Sequence, residues 1–258
     1  MRTLLAIAAV AAAVSVPAAA ATIDLSTLNL AGSAQMVGGD LQLTRASASQ
    51  ASGVSGAGWV TQGISTSSSF TTSFSFSLKG NDSGKMADGI ALAFQNVGNN
   101  VTGVGGSDVG YWNIGGSGSS AVGSVIRTWT NNDYGLSTNG VVQGLNSAGW
   151  NLGASNNVSG SQTVSYNAVT HELTMVGQFV NGATGQVYQV SDSATVDLST
   201  KFGSTMYVGF TGGIGGTDAD QRITSFSITS AVPEADTYAL MLGGLGLLGF
   251  MARRRKAK

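Results

Sequence analysis

Phe70-Thr-Thr-Ser-Phe-Ser-Phe-Ser-Leu78 is the stretch that decides the fold. Phe70, Thr72, Phe74, Phe76 and Leu78 occupy every second position, with Thr71, Ser73, Ser75 and Ser77 between them. A period of two sends each set to its own face of an extended chain, whereas a helix would scatter the phenylalanines around its circumference. The stretch therefore reads as a half-buried strand. Ile90, Leu92 and Phe94 repeat the alternation in the next segment. Val164 and Tyr166, then Leu173 and Met175, flank residues 167–172 and predict a hairpin. Residues 207–210 and 223–228 read as two late strands. The glycine-rich runs 103–106, 115–118 and 212–216 are expected to be loops in which positive φ is easily reached. No interior stretch sustains helical periodicity, and short strands between Gly, Asn and Ser turns predict an all-β antiparallel sandwich. No internal repeat stands out, and the stretch 65–72 carries no regular Thr-x-Thr ladder.

Composition supports one exported domain. Arg2 precedes an apolar run at 4–16, and Ala19-Ala20-Ala21 offers a small-residue cleavage site, so residues 1–21 read as a signal peptide. The expected domain, 22–231, has 210 residues, contains no proline and is large enough for one core. The chain has no cysteine, so the domain does without disulfides. Eleven acidic residues face six basic ones within 22–231, a net charge of −5 with no basic stripe, which argues against a nucleic-acid partner. A sparsely charged surface of this kind suits neutral ligands or a polysaccharide matrix.

The tail, 232–258, sets Val232, Pro233 and Glu234 before an apolar run at 237–251 and a basic end at 253–258. The apolar run is 15 residues long, short of the roughly 20 that comfortably span a bilayer. The basic end would stay cytoplasmic. This order resembles the PEP-CTERM sorting signal, with Val-Pro-Glu-Ala in place of the usual Val-Pro-Glu-Pro. The resemblance implies a C-terminal transmembrane anchor helix held transiently in the inner membrane. It also implies processing by an exosortase near Pro233-Glu234, and delivery to the cell surface or the extracellular matrix. An ordinary C-terminal membrane anchor is the alternative.

Four passages, read in order, carry a second likeness. They are 70–78 followed by Met86-Ala-Asp-Gly-Ile-Ala-Leu-Ala-Phe94; Gly105-Gly-Ser-Asp-Val-Gly-Tyr111; Val122-Gly-Ser-Val-Ile-Arg-Thr-Trp-Thr-Asn-Asn-Asp133; and Met206-Tyr-Val-Gly-Phe-Thr-Gly-Gly213 with 223–228. Together they resemble the legume-type (L-type) lectin domain, which implies a concanavalin-like β-sandwich (jelly roll) with a shallow sugar cleft. By the same resemblance Asp88 would accept hydrogen bonds from sugar hydroxyls, after a cis Ala87-Asp88 peptide. Gly106 would donate its backbone N–H, Trp129 would stack on the sugar ring, and Asn131 would donate to the sugar. Thr217, in the last glycine-rich loop with Asp218, would tune preference. The residues also admit plainer roles. Asp88 before Gly89 could cap a turn, Trp129 could be core, and Asn131-Asn132-Asp133 is itself a turn signal.

The departures from the family pattern concern metal. Where the family carries metal-ligating side chains this chain reads Val125, Arg127, Asn131 and Leu136, so calcium is not expected and no cofactor is predicted. Arg127 is expected to replace the ion by pairing with Asp88 or Asp133. Enzymatic chemistry is not expected either. Glu172 is the only glutamate in 22–231, and His171, beside it in the predicted hairpin turn, is the only histidine. Paired catalytic carboxylates, zinc hydrolysis and Cys/His chemistry lack their residues. Asp218 and Asp220, two apart, remain without a role. The expectation is an exported protein with a lectin-like carbohydrate-binding domain, metal-independent if active. A structural or adhesive matrix component is the alternative.

Overall fold

The structure, a computed structural model, describes residues 21–47, 52–81, 85–116, 118 and 121–230. The signal peptide apart from Ala21, and the tail with Val232, Pro233, Glu234 and the expected anchor helix, lie outside the described residues. Among the described residues no helix is long and apolar enough to cross a membrane.

The early strands are β1 (Ala21–Thr22), β2 (Asn29–Gly32), β3 (Gln35–Val37), β4 (Asp40–Thr44), β5 (Ser55–Trp59) and β6 (Ile64–Ser65). The decisive stretch forms β7 (Phe70–Gly80), followed by β8 (Gly89–Gln95), β9 (Val122–Arg127), β10 (Asp133–Ser137) and β11 (Asn146–Ser147). The expected hairpin is β12 (Asn157–Asn167) with β13 (Glu172–Asn181), and β14 (Val187–Thr195), β15 (Thr205–Gly213) and β16 (Ala219–Ser230) complete the set. Two antiparallel sheets result. One runs β14-β13-β12-β7-β16-β4-β3 with β1 on β16; the other runs β11-β10-β9-β8-β15-β5-β2 with β6 on β15. This is the expected all-β antiparallel sandwich.

The inward residues of β7 meet those of the facing sheet. Phe74 packs edge-on against Phe210 of β15 at 5.1 Å, and Phe210 against Phe226 of β16 at 4.9 Å. Each fully buried phenylalanine stabilises the fold by about 1.5–3 kcal/mol. The strands and both apolar clusters lie within the compact unit Ala20–Val232, which thus carries its own core, as a domain able to fold by itself does.

Two expectations are corrected. The segment of Ile90, Leu92 and Phe94 is buried along the whole of β8, not on one face. Its other side, Ala91 and Ala93, lies under a second apolar layer made of Trp59 from β5 and of Val109, Tyr111, Ile114 and Val142 from the loops between β8 and β9 and after β10. Gly212 and Gly213 belong to β15 and lack positive φ. They are glycines because of close approach: a Cβ on Gly212 would stand 2.3 Å from Gln221 Oε1, and one on Gly213 2.9 Å from Val109 Cα.

The outer face of the first sheet shows what no single strand discloses. Register aligns Thr229, Thr71, Ser165, Thr174 and Ser193 in one row across five strands. Ser227, Ser73, Thr163, Val176 and Ser191 form the next, and Ser225, Ser75, Ser161, Gln178 and Gln189 a third. No charge occurs in these rows, and hydroxyls bond across strands, Ser73 to Thr163 at 2.8 Å and Thr71 to Ser165 at 3.0 Å.

Candidate functional site

The start of β8 and the end of β9 pair Gly89 with Arg127, which brings the segments before and after them together. The Ala87-Asp88 peptide is cis. Asp88 is tied at both backbone ends: its N–H donates to Gly213 O at 3.0 Å, and its carbonyl accepts from Thr128 N at 2.7 Å. Gly89 has φ +138°, and a Cβ there would stand 2.0 Å from Ile126 O, so only glycine fits. Asp88 itself is 7% exposed, and its Oδ2 is buried without a hydrogen-bond partner of normal geometry among the described residues. Burial raises its pKa from 3.8 to about 6, opposed by the Gly215 amide and the Arg127 charge and reinforced by Asp108. The Asp108 carboxyl is also raised, chiefly by burial.

Gly106 opens a short 3₁₀ turn, Gly106–Asp108, with φ +67°. Its N–H already donates to Ile214 O at 3.0 Å, so the donor that the resemblance offered to a sugar is engaged within the fold. Beyond its Cα, and beyond that of Gly216, a Cβ would meet nothing within 4 Å, so there is open space at both. Thr217 is half-buried in the loop that follows. Asp218 is buried and accepts from the Ser47 amide at 2.9 Å and Asn81 Nδ2 at 2.7 Å, clamping two loops. Asp220 is turned to Arg222 Nε at 2.8 Å and Gln42 Nε2 at 2.8 Å. The two aspartates therefore serve separate contacts.

Trp129 is half-buried in the left-handed region, φ +57°. Its N–H donates to Met86 O at 3.1 Å, and Thr128 Oγ1 donates to the same oxygen at 3.0 Å. It lines a cleft of about 360 Å³ with Lys85, Thr130, Asn151, Gly153 and Ala154. Lys85 Nζ stands 5.5 Å from the centre of the indole. Asp88 is not among the lining residues, so the acid and the aromatic are joined through backbone and are not both presented on this cleft. Asn131 is exposed on the adjoining turn, whose shape is held by Asn132: its Oδ1 accepts from Gly153 N at 3.3 Å. Lys85, Asn151 and Asp108 were missed from the sequence. Lys85 lies three residues before Asp88, a proximity that could have drawn notice, but nothing local shows that Asn151 returns to this loop.

The metal positions do not fit a metal. Val125 is fully buried in the second apolar layer, and Leu136 packs against the main core. Arg127 is locked to Asp133, its register partner across β9 and β10, through Nε to Oδ1 at 2.8 Å and a second short contact from its terminal nitrogen to Oδ2. Of the two partners expected for Arg127, Asp133 is the one it holds; Asp88 feels its charge only. Asn131 supplies a single amide oxygen, far short of the six to eight oxygens a calcium ion takes. Among the described residues no group of three His, Cys, Asp or Glu could hold a metal ion. His171 stands in the hairpin turn with Nδ1 3.8 Å from Asp197 Oδ2, away from any second titratable partner of catalytic spacing among the described residues.

Comparison with known proteins places these observations. The sequence model of the legume lectin domain matches residues 22–240, and that of the PEP-CTERM protein-sorting motif matches 231–256. A seed lectin of Styphnolobium japonicum is 32% identical over 182 residues, 65% of this chain and 59% of that lectin, so the chain spans under two thirds of that relative's length. Among solved structures, the lectin from Bauhinia forficata in complex with GalNAc superposes with a TM-score of 0.66 at 20% identity, over 83% of this chain and 99% of that one. The basic winged bean lectin with Tn-antigen gives 0.67 at 19%, over 84% and 99%. At such identity the structures speak for the fold. The chain belongs to the legume lectin domain family and carries a PEP-CTERM protein-sorting motif at its C-terminal end.

Proposed function

We propose that this is an exported surface or matrix protein, sorted through an exosortase acting near Pro233-Glu234, whose lectin domain binds glycan without a metal ion. The observation that carries the reading is the buried Oδ2 of Asp88, an atom without a hydrogen-bond partner of normal geometry among the described residues. Buried polar atoms are nearly always satisfied, and one left open beside open space at Gly106 and Gly216 suits a ligand hydroxyl. A carboxylate accepting such a hydroxyl forms the stronger, charge-assisted class of hydrogen bond. Trp129 supplies an aromatic face nearby in the chain, and the Arg127–Asp133 pair orders the turn between them. Asn131 and Thr217 remain candidates for secondary contacts at the rim. The test is a glycan array probed with the Ala20–Val232 unit, with and without chelator, beside Asp88→Asn. Chelator-insensitive binding that the variant loses supports the reading; a folded unit that binds no glycan defeats it.

A second reading has its own observation. The three uncharged rows across β16, β7, β12, β13 and β14 form a wide hydroxyl face on a domain of net charge −5. Such a face meets a neutral polymer without charge repulsion, which favours a structural or adhesive component of the extracellular polysaccharide matrix. Retention on insoluble matrix that persists in Asp88→Asn and is lost when Ser73 and Thr163 become lysines would favour this role.

A further inference from the structure

We infer that the cleft at Trp129 selects acidic sugars: a uronate ring lies on the indole and its carboxylate pairs with the Lys85 ammonium. This rests on the glycan-binding reading above and adds the charge of the ligand to it. The cleft, about 360 Å³, is of the order that holds one sugar-sized group. Its aromatic floor is fixed from behind. Trp129 N is bonded to Met86 O, and Gly153 lies so close that a Cβ on it would stand 2.8 Å from Trp129 N. The backbone that carries the indole is therefore held in place without a ligand.

Lys85 decides between ligand classes. Its ammonium already stands over the ring at 5.5 Å, within cation–π range. A neutral sugar approaching that face must displace the ammonium and offers it no anion in return. A uronate draws the ammonium off the ring into a charge-assisted hydrogen bond, which is stronger than an exposed cation–π contact, and so clears the face for its own ring. Lys85 is exposed, and among the described residues it makes no salt bridge and no carboxylate lines the cleft. The neighbouring cation, Arg127, is already committed to Asp133. Asn151 Oδ1 accepts from Ala154 N at 2.9 Å, which leaves its NH₂ to donate to a ring hydroxyl, with the Thr130 hydroxyl beside it. The overall charge of −5 opposes an anion only weakly, because fields are screened over about 8 Å at physiological ionic strength. Within that distance the charge among the described lining residues is the Lys85 ammonium.

The experiment measures binding of the Ala20–Val232 unit to oligogalacturonates and to their carboxyl-reduced neutral counterparts, for the wild type, Lys85→Met and Trp129→Ala. Lys85→Met keeps the aliphatic stem, so folding is preserved. The expected result is at least about a tenfold preference for the acidic series that weakens with salt. Lys85→Met should abolish the preference, and Trp129→Ala should weaken binding of both series. Equal binding of both series by wild type and Lys85→Met would overturn the inference and leave the glycan-binding reading standing. Binding of neither series, nor of any glycan on the array, by a folded unit would overturn both.

Discussion

Replacing Arg127 with alanine tests whether an ion pair has taken over the place of a metal. Arg127 and Asp133 are 11% and 15% exposed at their side chains, and the guanidinium grips both carboxylate oxygens. Removing one partner of a fully buried pair costs about 3–5 kcal/mol, because the survivor is left charged and unpaired. Partial exposure lets water reach Asp133, so about 2–3 kcal/mol is expected here. For a domain of this size each kcal/mol lowers Tm by about 2–4 °C, giving a fall of roughly 4–12 °C. The Asp88 carboxyl, which the Arg127 charge holds down, should rise further. The assay is thermal denaturation followed by circular dichroism, with Arg127→Met/Asp133→Leu as the double variant and chelator added to each sample. The double variant should recover much of the loss, since two apolar side chains strand no charge. Chelator should move none of the melting curves. A melting temperature for Arg127→Ala within about 2 °C of wild type, below the shift that 1 kcal/mol produces at its upper end, would refute the reasoning. So would a wild type that chelator destabilises.

Asp88 gives a pH signature. Its folded pKa, about 6, lies above the ordinary 3.8, so between these values the folded state keeps a proton that the unfolded chain releases. Stability on this account is full below about pH 4 and is lost as pH rises through 6, by at most about 3 kcal/mol. Melting curves from pH 4 to 7 should converge at low pH for wild type and Asp88→Asn and separate at neutral pH, with the variant the more stable. Asp108, raised in the same direction, keeps a residual slope in the variant. Gly153→Ala places a methyl 2.8 Å from Trp129 N and should cost about 1–3 kcal/mol while shifting the indole; loss of glycan binding with retained circular dichroism checks it. Asp218→Ala releases the Ser47 amide and Asn81 and should cost about 2 kcal/mol without altering ligand preference, as denaturant unfolding and the array would show.

The fold was legible because its signal is local. The alternation in β7, β12 and β16 needs only neighbouring residues, and the hairpin at 167–172 announces itself by two apolar pairs around a polar turn. What escaped was set by packing across the chain. The two-sided burial of β8 depends on loops that close over it, and no periodicity within residues 89–95 reports a cover supplied by Tyr111 and Val142. The hydroxyl rows likewise arise from register among five strands, each of which alone holds an unremarkable handful of Ser and Thr. At the site, Asp88, Arg127 and Trp129 could be picked out by their motif positions, and the cis peptide at Ala87-Asp88 stands where the resemblance put it. Their partners could not. Only coordinates show that Arg127 holds Asp133, that the Gly106 amide is taken by Ile214, and that Trp129 faces Lys85.

These partners explain how the loop after β9 can stay ordered with so few oxygen ligands. A metal would organise the segment after β9 by gathering side chains from several turns onto one point. Here the same segment is held by bonds distributed along the chain. Thr128 N reaches Asp88 O, Thr128 Oγ1 and Trp129 N both reach Met86 O, Arg127 closes on Asp133, and Asn132 reaches forward to Gly153. Residues 128–129, with the aromatic, are thus fixed to residues 86–88, with the acid, by three hydrogen bonds. A shift at either end must be felt at the other, because Thr128 and Trp129 are consecutive and cannot move independently. On the proposed reading, a ligand that draws Lys85 from the indole acts on a platform already set by these bonds, without a divalent ion to assemble it. The consequence is functional as well as structural: binding in this protein should follow pH and ionic strength, through Asp88 and Lys85, and be indifferent to calcium.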